Sequence, residues 1–327
     1  MIGSVWLIRT WFGLMLMFGG EVLLWSMPRP LITWLPLYAC YVMIAALLLD
    51  LAARYRIRDL YGSMLITVIG GLLIGLLIYP QTALADFPRH LITRTIGAHA
   101  TFTLEMFGLF LVMTARHNRR YRYLLVGYAA WLGFYWGVWV HYAPTLTTWT
   151  TDQTALPIAL LVAALLLVII LLGGWIIPQR VQTITVDDLR LDLPTFLLLL
   201  AGLVVVFMFQ ALNGAYDTSL VLLAVLGLCL FAWAALWAER SDKGRTLLDT
   251  HMPPSHPEWT WVFGAMVLFF IMALIGWQLP LINIAGYSQL TFIELLFTLV
   301  GFAWLPTAFG MIAVRAVDRQ TRKLNVM

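Results

Sequence analysis

The chain has 327 residues, 62% of them hydrophobic and only 11% charged, with a formal net charge of +4. A soluble domain carries about 25% charged residues, so this composition cannot build a water-facing surface and lipid must cover most of it. The basic balance does not point to nucleic acid, because the charges sit in short loops between apolar runs, as membrane orientation requires. The expected partners are membrane lipids and other membrane subunits.

At about 20 residues per span plus short loops, the length leaves room for roughly ten helices. In chain order the apolar runs predict spans near 5–26, 33–52, 61–80, 96–115, 123–142, 156–178, 194–213, 218–238, 259–279 and 289–314. Together they predict one all-α polytopic transmembrane domain over residues 1–327. Arg9 ahead of an apolar stretch resembles a signal peptide, but there is no small-residue cleavage site, so the stretch reads as an uncleaved first span. Pro28, Pro80, Pro144, Pro178, Pro194, Gly214, the Pro253–Pro254 pair and Pro280 punctuate the loops. Cys40 and Cys229 lie in apolar runs outside any ligand spacing and read as small buried hydrophobes.

Basic residues set the orientation. With the N-terminus in the cytoplasm, 17 of the 20 Lys and Arg residues fall in inner segments, and only Arg29, Arg89 and Arg94 fall outside. This predicts N-in and C-in, with an even number of spans. Arginine outnumbers lysine 18 to 2, a bias that points to a GC-rich genome and so to a bacterial plasma membrane. The loop from Glu239 to Glu258 is the longest and carries His251 and His256; with no further ligand in view, it reads as a solvated cytoplasmic loop. The sequence contains no GxxxxGK[ST] and no HExxH, and no loop is long enough to form a soluble catalytic domain. Any chemistry must sit in the spans or at their ends.

An ionisable side chain deep in a bilayer costs at least a few kcal/mol, so each one needs a partner or a cavity. Glu21, Glu105 and Glu294 stand out. Asp50, at the inner end of the second span, is the expected partner of Arg54 four residues on. In the orientation above the three glutamates fall in the outer halves of their spans, with His99, His141, Gln210, Asn213 and Gln278 at similar depth. This predicts a polar pocket open to the extracytoplasmic side.

The fourth span carries the clearest pattern. Asp86, followed by Pro88, reads as an N-cap with a proline in the first turn. A helix begun there places His90, Arg94, Gly97, Thr101, Glu105 and Gly108 on one face. Arg94 and Glu105 would lie about 16 Å apart at 1.5 Å per residue, too far to pair. In the tenth span Tyr287, Thr291, Glu294, Thr298 and Gly301 repeat the stripe, and Glu21 extends a stripe from Thr10 in the first. The pocket candidates are therefore Glu21, Arg94, Thr101, Glu105, Glu294 and Thr298. The alternative reading is that each glutamate is protonated, or paired with Arg94, Trp or Tyr, and merely locks helices together.

His99 and His141 sit at the outer ends of adjacent spans and could ligate a haem or a metal. No CxxCH accompanies them, and hydrogen-bonded interface histidines are the plainer reading; no cofactor is named by the sequence. The dense run Trp131, Tyr135, Trp136, Trp139 and His141 in the fifth span fits a pigment or lipid groove, or a packed helix interface. Gly71 and Gly75 in the third span permit close helix approach.

Three functions fit these features. The first is a carrier of a small solute or lipid with an outward-facing polar pocket. The second is a non-catalytic membrane subunit, or a scaffold that holds pigment or lipid in a larger complex. The third is an intramembrane enzyme acting on lipid or isoprenoid, for which no Asp-rich, Ser/His or metal signature is present.

The topology is open to a direct check. Reporter fusions in 116–122 and in 145–153 should report opposite sides of the membrane, the first cytoplasmic. The same side for both would overturn the orientation.

Overall fold

The computed structural model describes residues 2–25, 31–83, 86–114, 119–142, 155–216, 219–240, 245–280 and 289–324. The loop at 145–153 and Tyr287 lie outside these. No strand occurs among the described residues. Ten helices are long and apolar enough to cross a membrane: Gly3–Leu24 (α1), Ile32–Arg54 (α2), Leu60–Leu77 (α3), Leu91–Thr114 (α4), Arg122–His141 (α5), Leu161–Arg180 (α6), Leu193–Leu212 (α7), Leu220–Glu239 (α8), Trp259–Gln278 (α9) and Thr291–Arg315 (α10). A chain in hydrocarbon must satisfy its backbone within each segment, and the helix does so.

Two stretches depart from the α-helix. Phe18–Trp25 at the end of α1 and Leu91–His99 at the start of α4 are π-helical. Their i→i+5 bonding adds a residue to each turn, so α-helical spacing no longer keeps side chains on one face there. Nor is Asp86 the cap of α4, contrary to the sequence expectation. The π-helical stretch opens after His90, and the Asp86 carboxylate lies 3.7 Å from Arg89 instead. Asp59 provides a true cap: its side chain accepts from the backbone N–H groups of Tyr61 and Gly62 at the start of α3.

The contacts cluster into two compact units, each discontinuous in sequence. Unit 1 comprises Met1–Val42, Glu105–Thr185 and Thr250–Leu295. Its tightest pairing is α5 on α9. A Cβ on Gly133 would collide with the Phe269 carbonyl, one on Gly137 with that of Ala273, and one on Gly276 with that of Phe134. Without a hydrophobic drive between helices in lipid, such close approach is what holds them. The pair is closed at one end by a forked ion pair from Arg122 to Glu258, at 2.5 and 2.6 Å. At the other end His141 stacks on Trp277, ring centroids 4.4 Å apart, and its Nδ1 meets the Trp277 carbonyl at 2.5 Å. The α5 aromatic run is thus largely a helix interface, with Trp136 stacked on Phe269. Trp11 of α1 donates to the Ile170 carbonyl of α6 at 2.8 Å, in a space that Gly173 leaves open.

Unit 2 comprises Met43–Leu104, Val186–Asp249 and Leu296–Met327. Gly97 of α4 faces the Phe297 carbonyl and Gly301 of α10 faces that of Ile92, each too close for a Cβ. Gly71 of α3 likewise lies too close to the Ala100 backbone for a Cβ. Trp304 donates to the Met64 carbonyl at 3.0 Å. Gln210 and Tyr216 donate to the Leu77 and Leu76 carbonyls, which α3 leaves unsatisfied at its end.

Burial differs sharply among the spans. In α1, α3 and α4, 83, 72 and 78% of the span's most apolar stretch is buried, against 11–28% in α6 to α10. The later helices therefore present most of their apolar surface outward.

Gly127 and Gly137 of α5 provide a matched test of the glycine interface. Nothing lies within 4 Å of a Cβ at Gly127. Gly127→Ala should stabilise by up to about 1 kcal/mol through helix propensity. Gly137→Ala should destabilise by about 1–3 kcal/mol through overpacking. Thermal unfolding in detergent reads both, and equal effects would contradict the packing.

Candidate functional site

Glu105 is 9% exposed and lines a cavity of about 80 Å³ within unit 1. α4, α5, α6 and α9 supply its walls, with Phe18 from α1. That is smaller than the roughly 150 Å³ of an apolar cavity that binds benzene. The walls are Leu, Met, Val, Ile and Ala, with three aromatic rings, Phe18, Tyr128 and Phe269. Among the described residues Glu105 is the one carboxylate on these walls, and no Lys or Arg lines them.

Glu105 has a single hydrogen-bond partner, the indole of Trp131 one helix away. Its Oε2 is buried and has none. Tyr128 and Tyr135 are within electrostatic reach of the carboxylate. Gly108, three residues on, leaves room for the Tyr128 hydroxyl, which would lie 2.9 Å from a Cβ there. The sequence had singled out Gly108 as part of the stripe, but not Trp131 or Tyr128 as neighbours. Only the pairing of α5 with α4 brings them there.

The other candidates lie elsewhere. Glu21 is 1% exposed in the π-helical end of α1 and accepts from the Tyr41 hydroxyl at 3.0 Å. Gly20 makes room for that hydroxyl. Glu294 is half-buried on α10. Neither Glu21 nor Glu294 lines the Glu105 cavity. In unit 2, Thr101 donates to the Gly97 carbonyl one turn back. The Thr298 hydroxyl pairs with that of Thr93 at 2.8 Å. Arg94 is half-buried and within electrostatic reach of His99. His99 is buried and stacks on Tyr79, centroids 5.4 Å apart. Among the described residues no three His, Cys, Asp or Glu side chains are grouped to hold a metal ion.

The single stripe expected along α4 is therefore divided. Gly97 packs on α10 and Thr101 bonds its own helix, while Glu105 faces a separate cavity. The π-helical turn at 91–99 changes the angular spacing of Arg94 and Gly97 relative to Thr101 and Glu105, which lie together in the regular α-helix Ala100–Thr114. The helix is also longer than expected at its Leu91 end. Glu105 lies 14 residues from that end and nine from Thr114. Its cavity is apolar where a polar one was expected.

Two further arrangements matter. In unit 2, Arg54 grips Asp50 through Nε and Nη2 at 3.0 and 2.8 Å, as their spacing predicted. The backbone of Leu191 completes the clamp, its N–H donating to Asp50 at 2.7 Å and its carbonyl accepting from Arg54 at 3.0 Å. This pins the segment before α7 to α2 and borders a cavity of about 520 Å³ that Cys229 and Trp233 also line. Cys229 is only half-buried, unlike Cys40.

The Glu239–Glu258 loop is not simply solvated. In unit 2 the Leu247 N–H donates to the Ile57 carbonyl at 2.7 Å. In unit 1 His251 is fully buried against Thr114, and Ser255 donates to the Thr114 carbonyl from both backbone and hydroxyl. This loop thus caps the end of α4, whose last carbonyls need donors.

These features define a class: the chain is a multi-pass α-helical membrane protein. No family model, curated protein or solved structure matches it.

Burial pushes the His251 imidazole down to about 4 by disfavouring its charged form, against a smaller opposing pull from a Leu111 backbone hydrogen bond. A histidine whose folded value lies below its ordinary one binds fewer protons folded than unfolded. Its contribution is complete above pH of about 6.5 and is lost as pH falls towards 4, by no more than about 3 kcal/mol. Unfolding temperature in detergent should fall across that window, and His251→Gln should flatten the slope. An unchanged slope would remove His251 from the account.

Proposed function

We propose that the protein is a membrane carrier that takes a small lipophilic molecule into the cavity beside Glu105. The single observation behind this reading is an apolar cavity within unit 1 that Glu105 lines, a residue whose Oε2 is buried without a partner. Ligand pockets are mostly apolar, with a few polar groups that fix orientation. A purely structural glutamate would be expected to have both oxygens engaged, as buried polar groups usually are. Met106, Met113 and Met266 give the walls an adaptable surface. The apolar lining favours an apolar cargo over a polar solute. A bacterial plasma membrane remains the proposed location, from the arginine bias and the positive-inside pattern.

The outward-facing apolar surface of α6 to α10 favours a second reading, a subunit or lipid-holding scaffold of a larger complex. The two differ in what they predict. A carrier, reconstituted alone in vesicles, should move a lipophilic tracer between leaflets or compartments. Ala265, 3% exposed on the cavity wall, offers the control. Ala265→Leu should fill much of the space and cut flux about tenfold or more, with unfolding temperature little changed. Bound lipid without flux, together with copurifying membrane proteins, would favour the scaffold.

A further inference from the structure

We propose that unit 2 holds an anionic phospholipid in the cavity of about 520 Å³ beside Arg54, its acyl chain on the aliphatic wall and its phosphate on Arg54 and Tyr55. This cavity shares no lining residue with the one beside Glu105, and its occupant does not depend on the carrier reading.

The cavity runs from a membrane surface into the hydrocarbon. Arg54 is the last residue of α2 and Leu193 the first of α7, so one end lies where spans terminate. Ile69 of α3 and Cys229 of α8 sit near the middle of their spans and line the other end. Leu47, Ile69, Leu73, Phe196 and Leu230 give a wall that suits an acyl chain. Leu193, Leu230 and Trp233 are exposed, and in a membrane lipid is what reaches them. The volume falls within the range of about 300–1,000 Å³ usual for ligand sites. Half a span of a partner helix, about 10 Å across and about 15 Å long, would need about 1,200 Å³.

The polar end offers donors and no open acceptor. Asp50 is 2% exposed, and its oxygens are taken by Arg54 and by the Leu191 N–H. The Arg54 side chain is 42% exposed and uses Nε and Nη2, leaving Nη1 without a hydrogen bond among the described residues. The Tyr55 hydroxyl accepts from the Trp233 indole at 2.5 Å and keeps its own O–H to donate. Such a set selects an anion, and the planar guanidinium suits phosphate. Arg56 and Arg58 add positive charge just beyond this helix end, where Asp59 is engaged by Arg315 and Asp187 by Arg190. An anionic head group therefore gains there, while the ammonium of a zwitterionic one is disfavoured.

The test uses the full chain in phosphatidylcholine vesicles that carry a trace of phosphatidylglycerol or phosphatidylcholine, each with the same diazirine-labelled acyl chain. After photolysis, cross-links are mapped by mass spectrometry to the cavity wall and to Leu198 and Val205, which are 73 and 67% exposed on α7 outside the cavity. At Ile69, Leu73 and Leu230 the anionic lipid should exceed the zwitterionic one about fivefold, the factor that one cation near the surface is worth. At Leu198 and Val205 the two should be equal. Asp50→Asn combined with Arg54→Gln removes both charges without leaving either buried alone, and should bring the wall ratio to that of the control positions. Tyr55→Phe should lower the ratio about twofold by removing one donor, and covers the case in which the double variant does not fold. Equal labelling of the wall by the two lipids would overturn the proposal. So would a ratio that the double variant leaves unchanged, or that Tyr55→Phe leaves unchanged where the double variant does not fold. Absence of lipid cross-links at the wall would overturn it too and leave the cavity to a protein partner.

Discussion

In a hydrocarbon environment a polar group must find its partner inside the protein, and most of this structure follows from that constraint. It makes every span a helix. It explains why indole and phenol groups reach across to backbone carbonyls, as Trp11 does to Ile170 and Trp304 to Met64. It explains why Glu21 lies beneath the Tyr41 hydroxyl, with a glycine beside it to make room. It accounts for the Asp50–Arg54 pair, where a buried carboxylate is met by a guanidinium and a backbone N–H together. At span ends the same need is met by Asp59, Gln210, Tyr216 and Ser255, which satisfy helix termini.

Against that background Glu105 and Trp139 depart from the pattern, each with a buried polar atom that has no hydrogen-bond partner. The second oxygen of Glu105 is buried without a partner, on a residue that lines an apolar cavity. Its neighbours are arranged for packing more than for hydrogen bonding: Gly108 admits Tyr128, and the α5–α9 seam, closed by Gly133, Gly137 and Gly276, fixes where Tyr128 and Phe269 stand. A change in the glycine seam would move the cavity walls without touching the carboxylate. Stability of the pair and shape of the site are therefore linked through backbone approach distances.

The sequence by itself determined the class. Sixty-two per cent hydrophobic residues with few charges admit nothing but a membrane helix bundle, and ten apolar runs of span length appear as ten helices with ends shifted by a few residues. Local pairs were legible too, because Asp50 and Arg54 are separated by one helical turn and nothing else is needed to bring them together. Glu105 could be picked out because a carboxylate amid Phe, Leu and Met is expensive wherever it lies.

Tertiary structure decided what those residues meet. The stripe along α4 assumed an unbroken α-helical period, and a π-helical turn at 91–99 interrupts it; Gly97 meets the Phe297 backbone, whereas Glu105 lines a cavity. Hydrogen-bond pattern depends on what packs against a helix, and no spacing in the chain announces it. Trp131 reaches Glu105, Tyr41 reaches Glu21 and His251 reaches Thr114 across 26, 20 and 137 positions. Periodicity reads a face of one helix, whereas a site is made where faces of several helices converge, and that convergence is set by backbone approach at glycines such as 137 and 276.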